Sequence, residues 1–356
     1  MNFILTINPG STSTKIAVFD DAKQLFVKNI KHSSEDLAQF KKITDQYDYR
    51  KKIIMRELKD TGIDISKIRI IVGRGGAVKP IKSGIYTVNQ ALREDLKKGV
   101  QGQHASNLGG LIADDIAKSL IDAKAYIADP VVVDELEPLA RISGHPIIER
   151  ISIFHALNQK AIARSHAKSI SKKYEELNLI VAHLGGGISV GAHKKGNVID
   201  VNQALDGDGP FSPERSGSLP VGELARICFS GKYTYDDVKK MITGNGGYVA
   251  YLGTNDAYEV EKRAEAGDEK AAFIQNAMAY QVAKEIGAMS TVLKGEVDAI
   301  LLTGGIAYSK PFVEAVKERV SHLAEVFVYP GEDEMRALAM NGLMVLEGEV
   351  EPLVYM

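Results

Sequence analysis

The chain has 356 residues, enough for two domains that each bury a sizeable core. Charged residues make up 25% and the formal net charge is −2, which argues against an electrostatic binder of nucleic acid or of a membrane surface. No apolar run reaches the roughly 18 residues of a membrane span, and the N-terminus starts a strand with no basic n-region or apolar h-region, so the expected location is the cytoplasm.

The single cysteine, Cys228, has no partner for an internal disulfide and fits a reducing compartment. Ile227 and Phe229 flank it and predict a buried structural thiol. In chain order, residues 4–7 and 16–19 are short β-branched runs that read as strands. Between them lie Asn8, Pro9, Gly10, the hydroxyls of Ser11, Thr12, Ser13 and Thr14, and Lys15. Such a loop offers backbone N–H groups, hydroxyls and one cation to a polyphosphate. A strand rather than a helix follows, so the loop is not of the Walker type. A hydroxyl-tipped hairpin resembles the first phosphate loop of the actin-like ATPases, although an ordinary polar hairpin would carry the same residues.

The spacing predicts a helix over 48–59, with Tyr47, Ile54 and Leu58 on one face and Gly62 at its stop. A buried strand over 68–72 runs into Gly73-Arg74-Gly75-Gly76, where glycines would let an anion reach the arginine. Helices follow over 90–98 and 107–120, and His104 precedes the second. A short strand over 125–128 ends in Asp129-Pro130, where carboxylates of α/β folds often meet metals. Gly144-His145-Pro146 suggests a domain boundary near 150. Phe154-His155 opens an alanine-rich helix expected to reach Tyr174.

The segment 179–191, with His183, Gly185, Gly186, Gly187 and Ser189, repeats the opening design of strand, tip and strand. Superposing Asn8 on His183 puts Gly10 on Gly185 and Thr14 on Ser189, an internal duplication. An irregular stretch over 203–220 carries Asp206, Asp208, Glu214, Arg215 and Ser218, and its length suggests function. Asp268 can cap a helix reaching Val292. A strand over 297–302 leads into Thr303-Gly304-Gly305-Ile306-Ala307, the shape of an adenosine-binding element. A helix over 311–323, a strand over 326–329 and a helix over 335–346 close the chain, with Glu334 at the last helix's N-terminal end.

Asn8-Pro-Gly-Ser-Thr-Ser-Thr-Lys15, His183-Leu-Gly-Gly-Gly-Ile-Ser189 and Arg215-Ser-Gly-Ser218, in this order, resemble the signatures of the acetokinase family of carboxylate kinases, in its butyrate and branched-chain fatty acid branch. The resemblance spans nearly the whole chain. It implies a duplicated α/β actin-like fold: a first domain over 1–150 with 335–356 packing back on it, a second over 151–334, and a nucleotide cleft between them. It further implies transfer of a phosphoryl group from ATP to a short-chain fatty acid such as butyrate or isobutyrate, with ADP and Mg²⁺ involved, in a homo-oligomer. By resemblance Arg74, Arg215, His155 and His104 are catalytic, and Asp129 and Glu334 hold Mg²⁺. Asn8, Ser11, Ser13, Lys15, His183, Gly185, Gly186 and Gly187 serve the phosphates, and Gly304, Gly305 and Ala307 the adenosine. Acetate kinases tend to carry bulky residues where Gly75 and Gly76 stand, so these glycines are expected to open room for a longer acyl tail. The alternatives are an acetate or propionate kinase of the same family, an actin-like regulatory ATPase without an acyl acceptor, and a sugar kinase with Asp129 as base.

Overall fold

A computed structural model describes residues 2–356. They form two compact units, one ending at Val133 and regaining Asp333–Met356, the other Asp134–Glu332. In the first unit the strands are β1 (Phe3–Pro9), β2 (Ser13–Asp20), β3 (Lys23–Lys31), β4 (Ile68–Arg74), β5 (Ile85–Thr87) and β6 (Lys124–Ala128). The second holds β7 (Asn178–Leu184), β8 (Ile188–Lys194), β9 (Asn197–Val201), β10 (Ala299–Gly304) and β11 (Val326–Pro330), after which β12 (Leu353–Val354) rejoins the first sheet.

The two sheets share a plan. β1, β2 and β3 form an antiparallel meander and β4 and β6 extend it in parallel; β7, β8, β9, β10 and β11 do the same in the same order. The central strands are covered on both faces, which is why they read as continuous apolar runs rather than alternating ones. The duplication needs one correction. Asn8 pairs with Lys15, whereas His183 pairs with Ser189, so the second tip is one residue shorter and Ser189 matches Lys15, not Thr14.

Helix ends follow local chemistry. The Asn89 side chain accepts from Leu92 N–H at the start of helix Gln90–Lys98, and Gly99 ends it in the left-handed region. Asp268 accepts from Ala271 N–H and caps helix Glu269–Val292. The alanine-rich helix covers Ala156–Ser169 and stops short of Tyr174, because Ser171 turns to φ 56 and Lys172 N–H closes back on the Ala167 carbonyl. Cys228 lies on the helix Val221–Cys228, whose residues stay outside the core, and its thiol is exposed rather than buried.

The break between units falls at 133/134, earlier than the boundary read near 150. Residues 134–150 belong with the second unit through bonds such as Glu135 with Lys160 (2.6 Å), Glu137 N–H to the Ile199 carbonyl (2.9 Å), and Arg150 with Asp200 (3.0 Å). Gly144-His145-Pro146 instead marks a hairpin-like excursion closed by the Ile142 and Glu149 bridge.

Beneath the first hairpin, His32 is buried with Nε2 2.8 Å from Thr14 Oγ1. Burial, and then the Arg50 charge, lower its pKa from 6.5 to about 4. The folded protein therefore resists protonating it, and stability present above pH 6.5 should be lost as pH falls towards 4. Urea melts of the wild type and His32→Asn should diverge across that window by at most about 3 kcal/mol. Parallel curves would refute a buried neutral imidazole.

Candidate active site

The first hairpin tip is held from beneath by a residue that sequence reasoning missed. Arg50 is fully buried, and its Nη1 donates to the carbonyls of Gly10 (2.7 Å) and Ser13 (2.9 Å) and to Thr14 Oγ1 (3.1 Å). Its Nη2 donates to the Ser11 carbonyl (2.9 Å), and Gln46 Oε1 accepts from Nε and Nη2. A trans peptide points its N–H opposite its carbonyl. Drawing the Gly10 and Ser11 carbonyls inward therefore turns the N–H groups of Ser11 and Thr12 outward, beside the exposed Ser11 and half-buried Ser13. The signal was present: Arg50 is four residues before Ile54 and shares its buried stripe with Leu58.

Three site residues of the first unit meet directly. Arg74 Nη1 lies 3.0 Å from Glu334 Oε1 and donates to Asn8 Oδ1 at 3.3 Å, and Asn8 Nδ2 donates to Glu334 Oε2. The triangle arises because β1 and β4 are parallel neighbours ending at one edge, while Asp333 caps the helix Glu334–Leu346 so that Glu334 opens it. Lys15, directly opposite Asn8, shares its face of the sheet. His104 bonds instead within its own loop. Its Nδ1 accepts from Ser106 N–H (3.2 Å), which leaves the proton on Nε2, and burial and then the Arg74 charge lower its pKa.

Asp129 follows the end of β6, where Ala128 pairs with Arg74. It is buried at φ 37, and its Oδ1 accepts from Ser83 Oγ (2.6 Å) and Gly84 N–H (2.8 Å). One carboxylate oxygen thus braces the neighbouring turn.

In the second unit the imidazoles of His155 and His183 stack with centroids 3.9 Å apart. His183 Nδ1 is 2.8 Å from Asn158 Oδ1 and its Nε2 is 3.3 Å from Glu332 Oε1. His155 Nδ1 is 2.8 Å from Ser189 Oγ. The irregular stretch 203–220 folds onto the glycine tip: Ser212 Oγ donates to the Gly186 carbonyl, and a Cβ on Gly187 would stand 1.9 Å from Arg215 Nη1. Arg215 Nη1 donates to the Ala204 carbonyl at 2.7 Å, but its buried Nε has no hydrogen-bond partner. β10 ends at Gly304, and Gly305 opens the short turn Gly305–Tyr308 with open space where a Cβ would be; the Ala307 side chain joins the core.

The predicted residues therefore gather as two sets, one on each unit. Asn8, Ser11, Ser13, Lys15, Arg74, His104, Asp129 and Glu334 belong to the first, and His155, His183, Gly185 to Gly187, Arg215 and Gly304 to Ala307 to the second. Both sets suit a nucleotide's phosphates. A buried guanidinium nitrogen without an acceptor, lying on a glycine tip with no side chain to block approach, is matched by an anion. The carboxylate and amide oxygens of Glu334 and Asn8 are hard donors suited to Mg²⁺. No group of three or more His, Cys, Asp or Glu side chains converges on a metal position among the described residues.

A duplicated sheet with these two tips is the architecture of the actin-like phosphotransferases, and solved structures agree. The acetate kinase of Porphyromonas gingivalis superposes with a TM-score of 0.79 at 16% identity, covering 97% of this chain and all of that one. A propionate kinase from Francisella tularensis subsp. tularensis gives 0.75 at 20% identity, covering 96% and 99%. Over 352 residues the chain is 58% identical to Butyrate kinase 1 of Clostridium acetobutylicum, spanning 99% of each. Residues 147–341 match the acetokinase family. The chain belongs to the acetokinase family and is a carboxylate kinase.

The expectation that Gly75 and Gly76 open an acyl pocket does not survive. A Cβ on Gly75 would stand 2.5 Å from Pro130 Cβ, and one on Gly76 only 2.4 Å from Asn107 Oδ1 and 2.7 Å from its Cα. Neither glycine has positive φ, so close packing against Pro130 and Asn107, not backbone geometry, demands them. Gly76→Val should consequently lower the thermal midpoint sharply, overpacking costing about 1–3 kcal/mol or more. The ratio of butyrate to acetate kcat/KM in the folded fraction should stay unchanged; a shift towards acetate with stability intact would restore the pocket.

Proposed function

We propose that the protein transfers the γ-phosphoryl group of ATP reversibly to a four-carbon fatty acid, butyrate or isobutyrate, giving an acyl phosphate and ADP. Identity of 58% across the full length to a butyrate kinase supports the choice of acid. The observation that carries the chemistry is the buried, unpartnered Nε of Arg215 at the glycine tip. The acid is ionised at neutral pH, its carboxyl titrating near 4–5, so no residue need act as a base. What must be overcome is repulsion between two anions.

Arg215 would meet the transferring phosphoryl group, and its planar fork suits that anion better than a lysine would. Arg74 would orient the carboxylate, exchanging part of its bond to Glu334. His155 and His104 would donate hydrogen bonds to phosphoryl oxygens as charge shifts. Ser11, Ser13, Lys15 and Asn8, with His183 and Gly185 to Gly187, would seat the phosphates, while Gly304, Gly305 and the Ala307 backbone would take the adenosine. Mg²⁺, when bound, would supply charge neutralisation for the nucleotide's phosphates. Glu334 and Asp129 would hold it through waters, since magnesium dehydrates reluctantly. A homo-oligomer belongs to the same reading, supported by the exposed Val221, Phe229 and Tyr235.

The test is trapping of acyl phosphate as hydroxamate over acetate, propionate, butyrate and isobutyrate. The four-carbon acids should lead, and ATP hydrolysis without hydroxamate would overturn the proposal. Arg215→Ala should lower kcat by roughly 10³ while ATP still binds. Asp129→Asn should raise the Mg²⁺ requirement without exposing a lost base. Activity that returned steeply at high pH and ignored added Mg²⁺ would make Asp129 a base instead.

A further inference from the structure

Behind His155 lies a chain of buried polar groups that the phosphoryl chemistry does not touch. Ser189, Gln159 and His193 are fully buried and Tyr174 nearly so. Gln159 Nε2 lies 3.0 Å from the Ser189 carbonyl and 2.8 Å from Ser189 Oγ. Gln159 Oε1 is 2.9 Å from His193 Nε2, and His193 Nδ1 is 2.7 Å from Tyr174 OH. Gly191 keeps this passage clear, since a Cβ there would stand 2.7 Å from Gln159 Oε1.

The direction of every bond follows from one fixed point. A backbone carbonyl only accepts, so the Gln159 amide must turn its NH₂ towards Ser189 and its oxygen towards His193. His193 then donates from Nε2. Its burial, reinforced by the positive charges of Lys160 and Arg164, keeps it neutral, so Nδ1 accepts from Tyr174. The second Gln159 proton goes to Ser189 Oγ, which also faces the His155 backbone N–H at 3.5 Å. Both acceptor positions of that hydroxyl are thereby used, and its own proton points to His155 Nδ1, 2.8 Å away. A ring that accepts at Nδ1 and is neutral carries its proton on Nε2.

We propose that Gln159 is a positioning residue which, through Ser189, locks His155 as the Nε2–H tautomer, so that His155 always offers a donor from that nitrogen. Its catalytic consequence rests on the carboxylate-kinase reading above; the tautomer itself does not. A histidine with the proton on the wrong nitrogen would present a lone pair to an anionic oxygen and oppose transfer. The relay removes that tautomer before substrate arrives.

Heteronuclear NMR of the histidine ring nitrogens in the full-length protein, with His155 assigned from its loss in His155→Gln, reads the tautomer directly. The wild type should show His155 Nδ1 unprotonated and Nε2 protonated. Gln159→Glu, ionised above neutral pH, offers Ser189 an acceptor in place of a donor and should reverse the relay, moving the proton to Nδ1. With that reversal kcat should fall by about 10², with KM for acid and ATP little changed, as for a donor lost only in the transition state. A wild-type His155 protonated at Nδ1 would overturn the proposal, as would a folded Gln159→Glu that kept the wild-type tautomer and kcat. If that variant fails to fold, the wild-type spectrum alone decides. Should the wild type make no acyl phosphate, the functional reading falls, and the spectrum still tests the relay.

Discussion

Parallel strand pairing is the constraint on which the rest depends. Because β1, β4 and β6 run the same way, their carboxyl ends come to one edge, and Asn8, Arg74 and Asp129 arrive there from three distant stretches of chain. The pairing of β7, β10 and β11 does the same for His183, Gly304 and, just beyond β11, Glu332. Parallel strands also need cover on both faces, which makes them apolar throughout and leaves their ends as the place for polar groups. The antiparallel tip inserted after β1 and β7 then adds backbone N–H groups beside those ends.

The polar groups at these edges are held by others more deeply buried. Arg50 has no carboxylate against it; three loop carbonyls, the Thr14 hydroxyl and the Gln46 side chain share its charge instead. Buried charges usually require such full hydrogen bonding. The first hairpin tip is thereby shaped by groups within the chain and carries a positive charge beneath it. On the other unit, Arg215 differs in that its buried Nε lacks an acceptor. One guanidinium has its donors taken up by the hairpin it supports, and the other keeps one donor without an acceptor.

Glycines taught a sharper lesson than the motifs. Gly75 and Gly76 look, in the sequence, like side chains removed to enlarge a pocket. In the fold the space beside them is filled by Pro130 and Asn107. Gly187 resembles them on paper, yet what it makes room for is the Arg215 guanidinium. Cys228 shows the same limit in reverse, since its apolar neighbours in sequence predicted burial for a thiol that lies exposed on a helix outside the core. A residue's neighbours along the chain do not say what occupies its far side.

The sequence by itself determined the duplicated plan, most of the strands and helices, the two tips and the residues at strand ends, because periodicity, turn chemistry and caps are local. The short contiguous signatures named Asn8, Lys15, His183 and Arg215 for the same reason, while Arg74, His155 and Glu334 were carried over from the family's active-site positions. Only tertiary structure decided that Arg74, Asn8 and Glu334 form one triangle, that the second tip is a residue shorter, and which groups Arg50 and Gln159 bond. Hints existed, since Arg50 shares a stripe with Ile54 and Leu58, and Gln159 shares one with Ala163 and Ala167. A polar residue on a buried stripe, though, states only that it has a partner. The identity of that partner depends on which chain segment is folded against it, and hydrogen bonds between residues thirty or more positions apart leave no periodic trace.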